Sequence, residues 1–384
     1  MARNKNQHFV PKVYLRGFSP DGGSAINLYN ISANRGVENA PTKGQCAKHY
    51  FYGKDLALET AFQSIEGRYA RVLATLQVRG VLSSDDLQFL RDFAYLQYLR
   101  TEAAFDFRRR TMIEMQEVTH RGFDRDPPPL DLSDPAIARE MIGTFANTKG
   151  EIEDLEICIL LNATTQPLVT SDDPSVLTNR VHLQRLKEDN FGLISSGAML
   201  YLPLTPRFAL LCYDGDAYSL PNRKNGVVSF RKEEDAIAVN ALQYLNAREN
   251  IYFSAWASLA EVRSAFKAVE PRRLVSRSRF WIGVPTGETA GAEFYRRATP
   301  EEVESPIPKI VSFSPMFPSP PRWPSEIRFK NKITAMNNGS GPGYVRIAAG
   351  RRQGLADRWL TTVPAVPEKG RSRSNPATAM IVKQ

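Results

Sequence analysis

Cysteine is scarce in this 384-residue chain: Cys46, Cys158 and Cys212 stand far apart, with no CxxC spacing. That spacing excludes a disulfide scaffold and a thiolate zinc site, and it suits a reducing, cytoplasmic setting. Histidine is scarce too, with four residues and no HxxxH or HExxH pair. No run of apolar residues approaches membrane-spanning length; the densest, LEICILL at 155–161, is short enough for a buried strand. Neither a membrane span nor a secretory leader is therefore expected. GxxxxGK[ST], GxGxxG and GxSxG are missing as well, which removes the usual support for nucleotide-loop, dinucleotide and serine-hydrolase chemistry.

What remains is a composition ordinary for a globular protein, 42% hydrophobic and 24% charged, with an uneven charge distribution. Residues 301–384 hold 13 Lys/Arg against 6 Asp/Glu, so +7 of the net +9 lies there and the first 300 residues are almost neutral. The same segment holds eleven of the 26 prolines and the run GSGPG at 339–343. It reads as an extended, disordered, basic tail over 300–384. Such a tail is either a solvated extension or a contact for nucleic acid or an acidic partner protein.

Helical periodicity is clear from 58 to 76, where Leu58, Phe62, Ile65, Tyr69, Val72, Leu73 and Leu76 form one apolar stripe. Ser83 to Asp86 supply caps for a second helix, expected to run to about 118, and Ser133 or Asp134 opens a third ending near 147. The period then changes. LEICILLNATTQPLVTSDDP (155–174) reads as two buried strands around a turn, and MLYLPLTPRFALLCYD (199–214) as two more. INLYN (26–30), YFSAWAS and RFWIGVP are further strand candidates, and 232–250 is again helical. The expected fold is a single α+β domain over 1–290. Its helical layer (about 55–147) packs on a mostly antiparallel sheet (about 155–285).

The opening stretch QHFVPKVYLRGF (7–18) is unusually apolar for a chain terminus. Its aromatics are expected to lock it between helices and sheet, presenting His8 beside the first helix. The order of short motifs that starts here resembles the domain of unknown function 4238 family, whose marker is His-Tyr-Val-Pro near the N-terminus. This sequence has His8-Phe9-Val10-Pro11, with phenylalanine in place of the tyrosine, followed by YLRGF at 14–18. FYG at 51–53, Leu58-Glu59, Ile65-Glu66, Gln97, Arg100-Thr101, TSDDP at 170–174, PLTP at 203–206, Asn240 and Ala247-Arg248 continue the series over roughly 5–255. The resemblance implies no known activity; it nominates positions.

The side chains at those positions suggest a site. Glu59 and Glu66, seven residues apart, lie on nearly one helix face about 10 Å apart along the axis. Each has a plainer alternative, Glu59 with the helix dipole and Glu66 with Arg68, Arg71 or solvent. Gln97, Arg100 and Thr101 form a polar cluster at i, i+3 and i+4, and Arg100 would reach Glu59 or Glu66 as a buried bridge or an anion clamp. Asp172 and Asp173, at the end of an apolar strand, would either hold a divalent cation such as magnesium or manganese or make an Asx-type turn. His8 would be a general base, a ligand or a core histidine bonded to backbone. Two functions follow. One is a metal-dependent hydrolase, nuclease-like or phosphodiesterase-like, with His8, Glu59, Glu66, Arg100 and Asp172 as catalytic groups. Tyr14, Gln97 and Thr101 would then contact substrate. The other is a non-catalytic binding module whose polar cluster organises the core.

Overall fold

The computed structural model describes residues 5–20, 23–123, 128–289, 292–339, 343–365 and 379–382. The chain opens with β1 (Asn6–His8), the short α1 (Lys12–Leu15), β2 (Ala25–Asn30), β3 (Arg35–Pro41) and β4 (Ala47–His49). Four helices follow: α2 (Ala57–Arg79), α3 (Ser84–Arg100), α4 (Glu102–Phe123) and α5 (Asp134–Thr148). Next come β5 (Glu156–Asn162), β6 (Thr170–Ser171), β7 (Val176–Asn179), a π-helical turn over Val181–Leu186, β8 (Ala198–Pro203) and β9 (Phe208–Tyr213). Then come β10 (Tyr218–Ser219), β11 (Val227–Phe230), α6 (Glu233–Asn246), β12 (Asn250–Phe253) and α7 (Leu259–Val269). The remainder is β13 (Ser278–Thr289), β14 (Ala292–Arg297), α8 (Pro300–Glu304), β15 (Ile310–Pro315), β16 (Arg328–Phe329), β17 (Thr334–Met336), α9 (Ile347–Arg352), β18 (Leu360–Thr362) and β19 (Ala379–Val382).

The architecture is α+β with mostly antiparallel sheets. The central sheet has the order β11-β5-β9-β8-β7; β11 joins parallel to β5 and the other neighbours are antiparallel. Side chains alternate across a strand, and here both faces are covered. Leu200, Leu202, Leu210 and Cys212 face the core shared with α2, α3 and α5. Met199, Tyr201, Leu211 and Tyr213 face a second core containing Ala236, Val239 and Leu242 of α6. Burial on both faces is why these strands read in the sequence as unbroken apolar runs.

Residues 300–339 and 343–365 correct the reading of a disordered tail from residue 300. Ile327, Ile333, Ala335 and Val363 belong to the second core, so this segment covers the far face of the central sheet in extended form. β15 pairs with β13, and β17 with β18. Arg346, 1% exposed, bonds Asp154 through Nε at 2.7 Å and donates to the carbonyls of Leu193 and Glu151. Proline and glycine therefore mark an extended cover, not a missing one. Part of the expected tail, 366–378 and 383–384, lies outside the described residues.

Two further expectations change. The second helix ends at Arg100, because Thr101 is extended (φ −77°, ψ 160°) and its hydroxyl accepts from the Ala104 amide at 3.1 Å, capping α4. The strands of 155–174 do not pair with each other: β5 lies in the central sheet, whereas β6 joins the sheet β3-β2-β12-β6. Ser83 caps α3 as read, accepting from the Asp86 amide.

Candidate functional site

The N-terminal stretch is held by its backbone. The Gln7 amide side chain accepts from Tyr52 N (2.6 Å) and donates to the Gly53 carbonyl (2.9 Å), so FYG grips the residue before His8. The His8 carbonyl accepts from Arg100 Nη2 at 2.8 Å and from the Tyr52 hydroxyl at 3.3 Å. The Phe9 carbonyl accepts from Gln97 Nε2 at 2.8 Å. Tyr14 donates its hydroxyl proton to the Pro203 carbonyl (2.6 Å) and accepts from the Thr170 hydroxyl (2.7 Å). Gly17 lies so close to the sheet that a Cβ there would meet the Leu204 carbonyl oxygen at 2.7 Å. In the YLRGF motif, tyrosine and glycine thus dock the stretch onto the PLTP turn.

Arg100 gathers one group of predicted residues. Its guanidinium, 2% exposed, stacks 4.1 Å over Phe62 and donates to the Tyr52 hydroxyl (3.2 Å) and Glu66 Oε1 (3.1 Å). Its Nη1 is buried without a hydrogen-bond partner, as is His8 Nε2. Burial lowers the His8 pKa, and the charges of Lys12 and Arg100 lower it further. Burial raises Glu59, the Glu66 charge adds to the rise, and Arg100 opposes it. Tyr52 is pushed up to about 12, chiefly by burial. His8, Glu59, Glu66 and Arg100 therefore share one neighbourhood: a guanidinium held on a carboxylate, an uncharged imidazole and a second carboxyl biased towards its neutral form.

TSDDP makes a second network, whose residues bond α1, α6, the start of α4 and the loop before β12. Thr170 meets Tyr14. Ser171 donates to Gln243 Oε1 at 2.9 Å. Asp172 accepts three backbone N–H groups, from Arg248 (2.9 Å) to Oδ1 and from Glu249 (2.8 Å) and Asn250 (3.0 Å) to Oδ2. Asp173 accepts from the Thr101 hydroxyl at 2.8 Å and faces Arg277 at 3.6 Å. The Pro174 carbonyl accepts from Gln243 Nε2 (2.8 Å). Asp172 and Asp173 are both pushed up to about 6 by burial, against these donors.

The Asp172–Asp173 pair does not fit a divalent cation. A hard cation needs several oxygen ligands with free lone pairs, and these carboxylates point at N–H and O–H donors. Among the described residues, no group of three or more His, Cys, Asp or Glu side chains is placed to hold a metal. Nor does Asp172 make the expected Asx-type turn: its carboxylate bonds the distant backbone of 248–250 rather than its own, and the local turn bond runs from Asp173 N to the Ser171 hydroxyl at 3.3 Å. A shallow groove of about 550 Å³ lined by Leu259, Ala260, Arg263, Ser264 and Lys267 involves none of the predicted residues.

Several organising residues were missed from the sequence. Gln7, Gln243 and Asn246 make bonds equal to those of the nominated positions. One signal was present: amides at Asn240, Gln243 and Asn246 recur every three residues on an otherwise apolar helix. Each bonds the 167–174 stretch; Asn240 accepts from Val169 N (3.0 Å) and Asn246 donates to the Asp173 carbonyl (2.6 Å).

No curated protein matches the chain, and no solved structure does. Residues 6–255 match the family model described as protein of unknown function (DUF4238). That span runs from β1 through the loop after β12 and includes both hydrogen-bonded networks. The chain belongs to this family, and the matched span holds the residues that tie its N-terminal stretch, helices and sheets together.

Proposed function

We propose that this chain is a non-catalytic binding module, in which the motif residues build a scaffold and function lies on its surface. The observation that carries this reading is the Asp172 carboxylate, whose two oxygens accept three backbone N–H groups. A buried carboxylate so employed fixes a loop, and removing it would cost stability before it cost any reaction. Tyr14, Gln97, Arg100, Thr101 and Asp173 support the same reading, since each spends a polar group on an internal partner. The expected partner is a nucleic acid or an acidic protein, as the basic charge suggests. Calorimetric titration with magnesium or manganese tests the choice. No saturable heat is expected; a stoichiometric isotherm lost in a folded Asp172→Asn variant would return the protein to the metal-dependent hydrolases.

A second reading rests on the unpartnered His8 Nε2 and the raised Glu59. Two ionisable groups tuned in this way would serve metal-free acid–base chemistry. It requires that His8→Ala abolish an activity while leaving the unfolding midpoint in place, and a folded variant with undiminished activity would dismiss it.

A further inference from the structure

The sequence contains two Asn-Gly pairs, Asn225-Gly226 and Asn338-Gly339, and the fold places them differently. In such a pair the glycine nitrogen can reach the asparagine side-chain carbonyl, because no Cβ stands in the way. Asn225 and Gly226 are the central residues of the tight turn that opens β11. Both have positive φ, 48° and 77°, and Lys224 and Val227 exchange backbone bonds across them at 2.8 and 2.9 Å, the pattern of a type I′ hairpin turn. Asn225 is exposed. Neither its side-chain amide nor the Gly226 N–H has a hydrogen-bond partner among the described residues. A Cβ built on Gly226 would meet nothing nearer than Leu87 Cδ1 at 3.9 Å, so no neighbour crowds the pair. At the second pair, Gly339 N donates to Asn337 Oδ1 at 2.7 Å, and Asn338 is half-buried. There the attacking nitrogen is already engaged.

We propose that Asn225 is a site of spontaneous deamidation, converted in part to isoaspartate. The Gly226 nitrogen bonds to Asn225 Cγ and gives up its proton, the Cγ–Nδ2 bond breaks, and ammonia leaves. Water then opens the five-membered imide. Cleavage of its bond to Cγ gives aspartate, and cleavage of its bond to the main-chain carbonyl carbon gives isoaspartate; no enzyme or oxidant takes part. Ring closure requires the peptide after Asn225 to rotate, which the two turn bonds resist. They lie at the start of β11, a four-residue edge strand of the central sheet, where local opening costs little. Isoaspartate adds a methylene to the main chain, so the turn no longer spans Lys224 to Val227 in register. The Gly226 carbonyl, which accepts from Ile159 N at 2.9 Å, is displaced, and β11 loses its first tie to β5. Val228 and Phe230 of this strand are fully buried in the second core. The modification is thus a slow, irreversible loosening of one edge of the central sheet, whether or not the chain is a binding module.

The test is peptide mass mapping of the full chain during incubation in warm, mildly alkaline buffer, beside the same chain unfolded in urea. The Asn225 peptide should gain the mass difference between amide and acid, as two products of equal mass that chromatography separates. Asn338 in the folded chain should react at least about fivefold more slowly, as one retained hydrogen bond implies. Urea unfolding then reads the consequence. Asn225→Asp should keep the wild-type midpoint, because Asp-Gly suits the same turn. Aged wild type should show a second, lower midpoint whose amplitude follows the isoaspartate fraction. An Asn225 that stays intact in the folded chain while it reacts in urea overturns the proposal, as does an Asn338 that reacts first. Isoaspartate at 225 with an unchanged midpoint overturns the loosening of β11.

Discussion

Replacing Arg100 by methionine keeps an unbranched apolar stem over Phe62 and removes the guanidinium. Three hydrogen bonds go, to the Tyr52 hydroxyl, the His8 carbonyl and Glu66. Bonds involving a charged group contribute about 1.5–3 kcal/mol each, so the gross loss is about 6 kcal/mol. Much of it is offset. The buried guanidinium no longer costs desolvation, and its unpartnered Nη1 disappears. The His8 carbonyl keeps the Tyr52 hydroxyl, and Glu66, 24% exposed, turns to water. The expected net destabilisation is about 2 kcal/mol, read as a shift of the urea midpoint at unchanged slope. A second readout follows from the charge. Without Arg100 the His8 pKa rises, yet burial and Lys12 still hold it below its usual value. Imidazole proton shifts followed by NMR across the titration report this. A variant as stable as wild type, or a His8 pKa that stays put or falls, refutes the claim that Arg100 ties His8 to α2.

Other expectations test the cover and a buried imidazole. Arg346→Met leaves two carbonyls without their donor and Asp154 with Arg352 alone, and should cost about 3 kcal/mol in urea unfolding; an unchanged midpoint would mean that the segment around 346 does not hold the sheet. His182, 3% exposed and packed 5.7 Å from the Phe191 ring, has its pKa lowered to about 4 by burial, against a hydrogen bond to the Ser196 backbone. Between about 4 and the unfolded value near 6.5 the unfolded chain binds more protons there, so this residue's share of stability is lost as pH falls. Wild type should therefore lose up to about 3 kcal/mol relative to His182→Gln between about pH 7 and about pH 4. The difference isolates the imidazole from Asp172 and Asp173, whose raised pKa values favour folding as pH falls towards 4. A pH-independent difference would contradict the burial argument.

The sequence carried the helices and the paired strands because periodicity there reflects a single physical demand, burial of one stripe or of alternate residues. It could not show that α3 and α4 are separate, because the break lies in the Thr101 hydroxyl, which serves a distant aspartate and a local cap at once. Nor could composition tell an extended cover from a solvated tail: proline and glycine suit both, and only Ile327, Ile333 and Val363 pressed on the sheet decide. Of the candidate site, the pairing of Arg100 with Glu66 was legible from helix geometry. The fate of Asp172 was not, since its three donors come from the backbone of 248–250, and backbone amides leave no mark in a sequence.

The most direct measurement is the unfolding free energy of Asp172→Asn beside its magnesium titration. An amide oxygen cannot serve all three N–H groups, so the scaffold account predicts a loss of about 2–3 kcal/mol and no magnesium heat in either protein. Unaltered stability, with a magnesium isotherm present in wild type and absent in the variant, would contradict it.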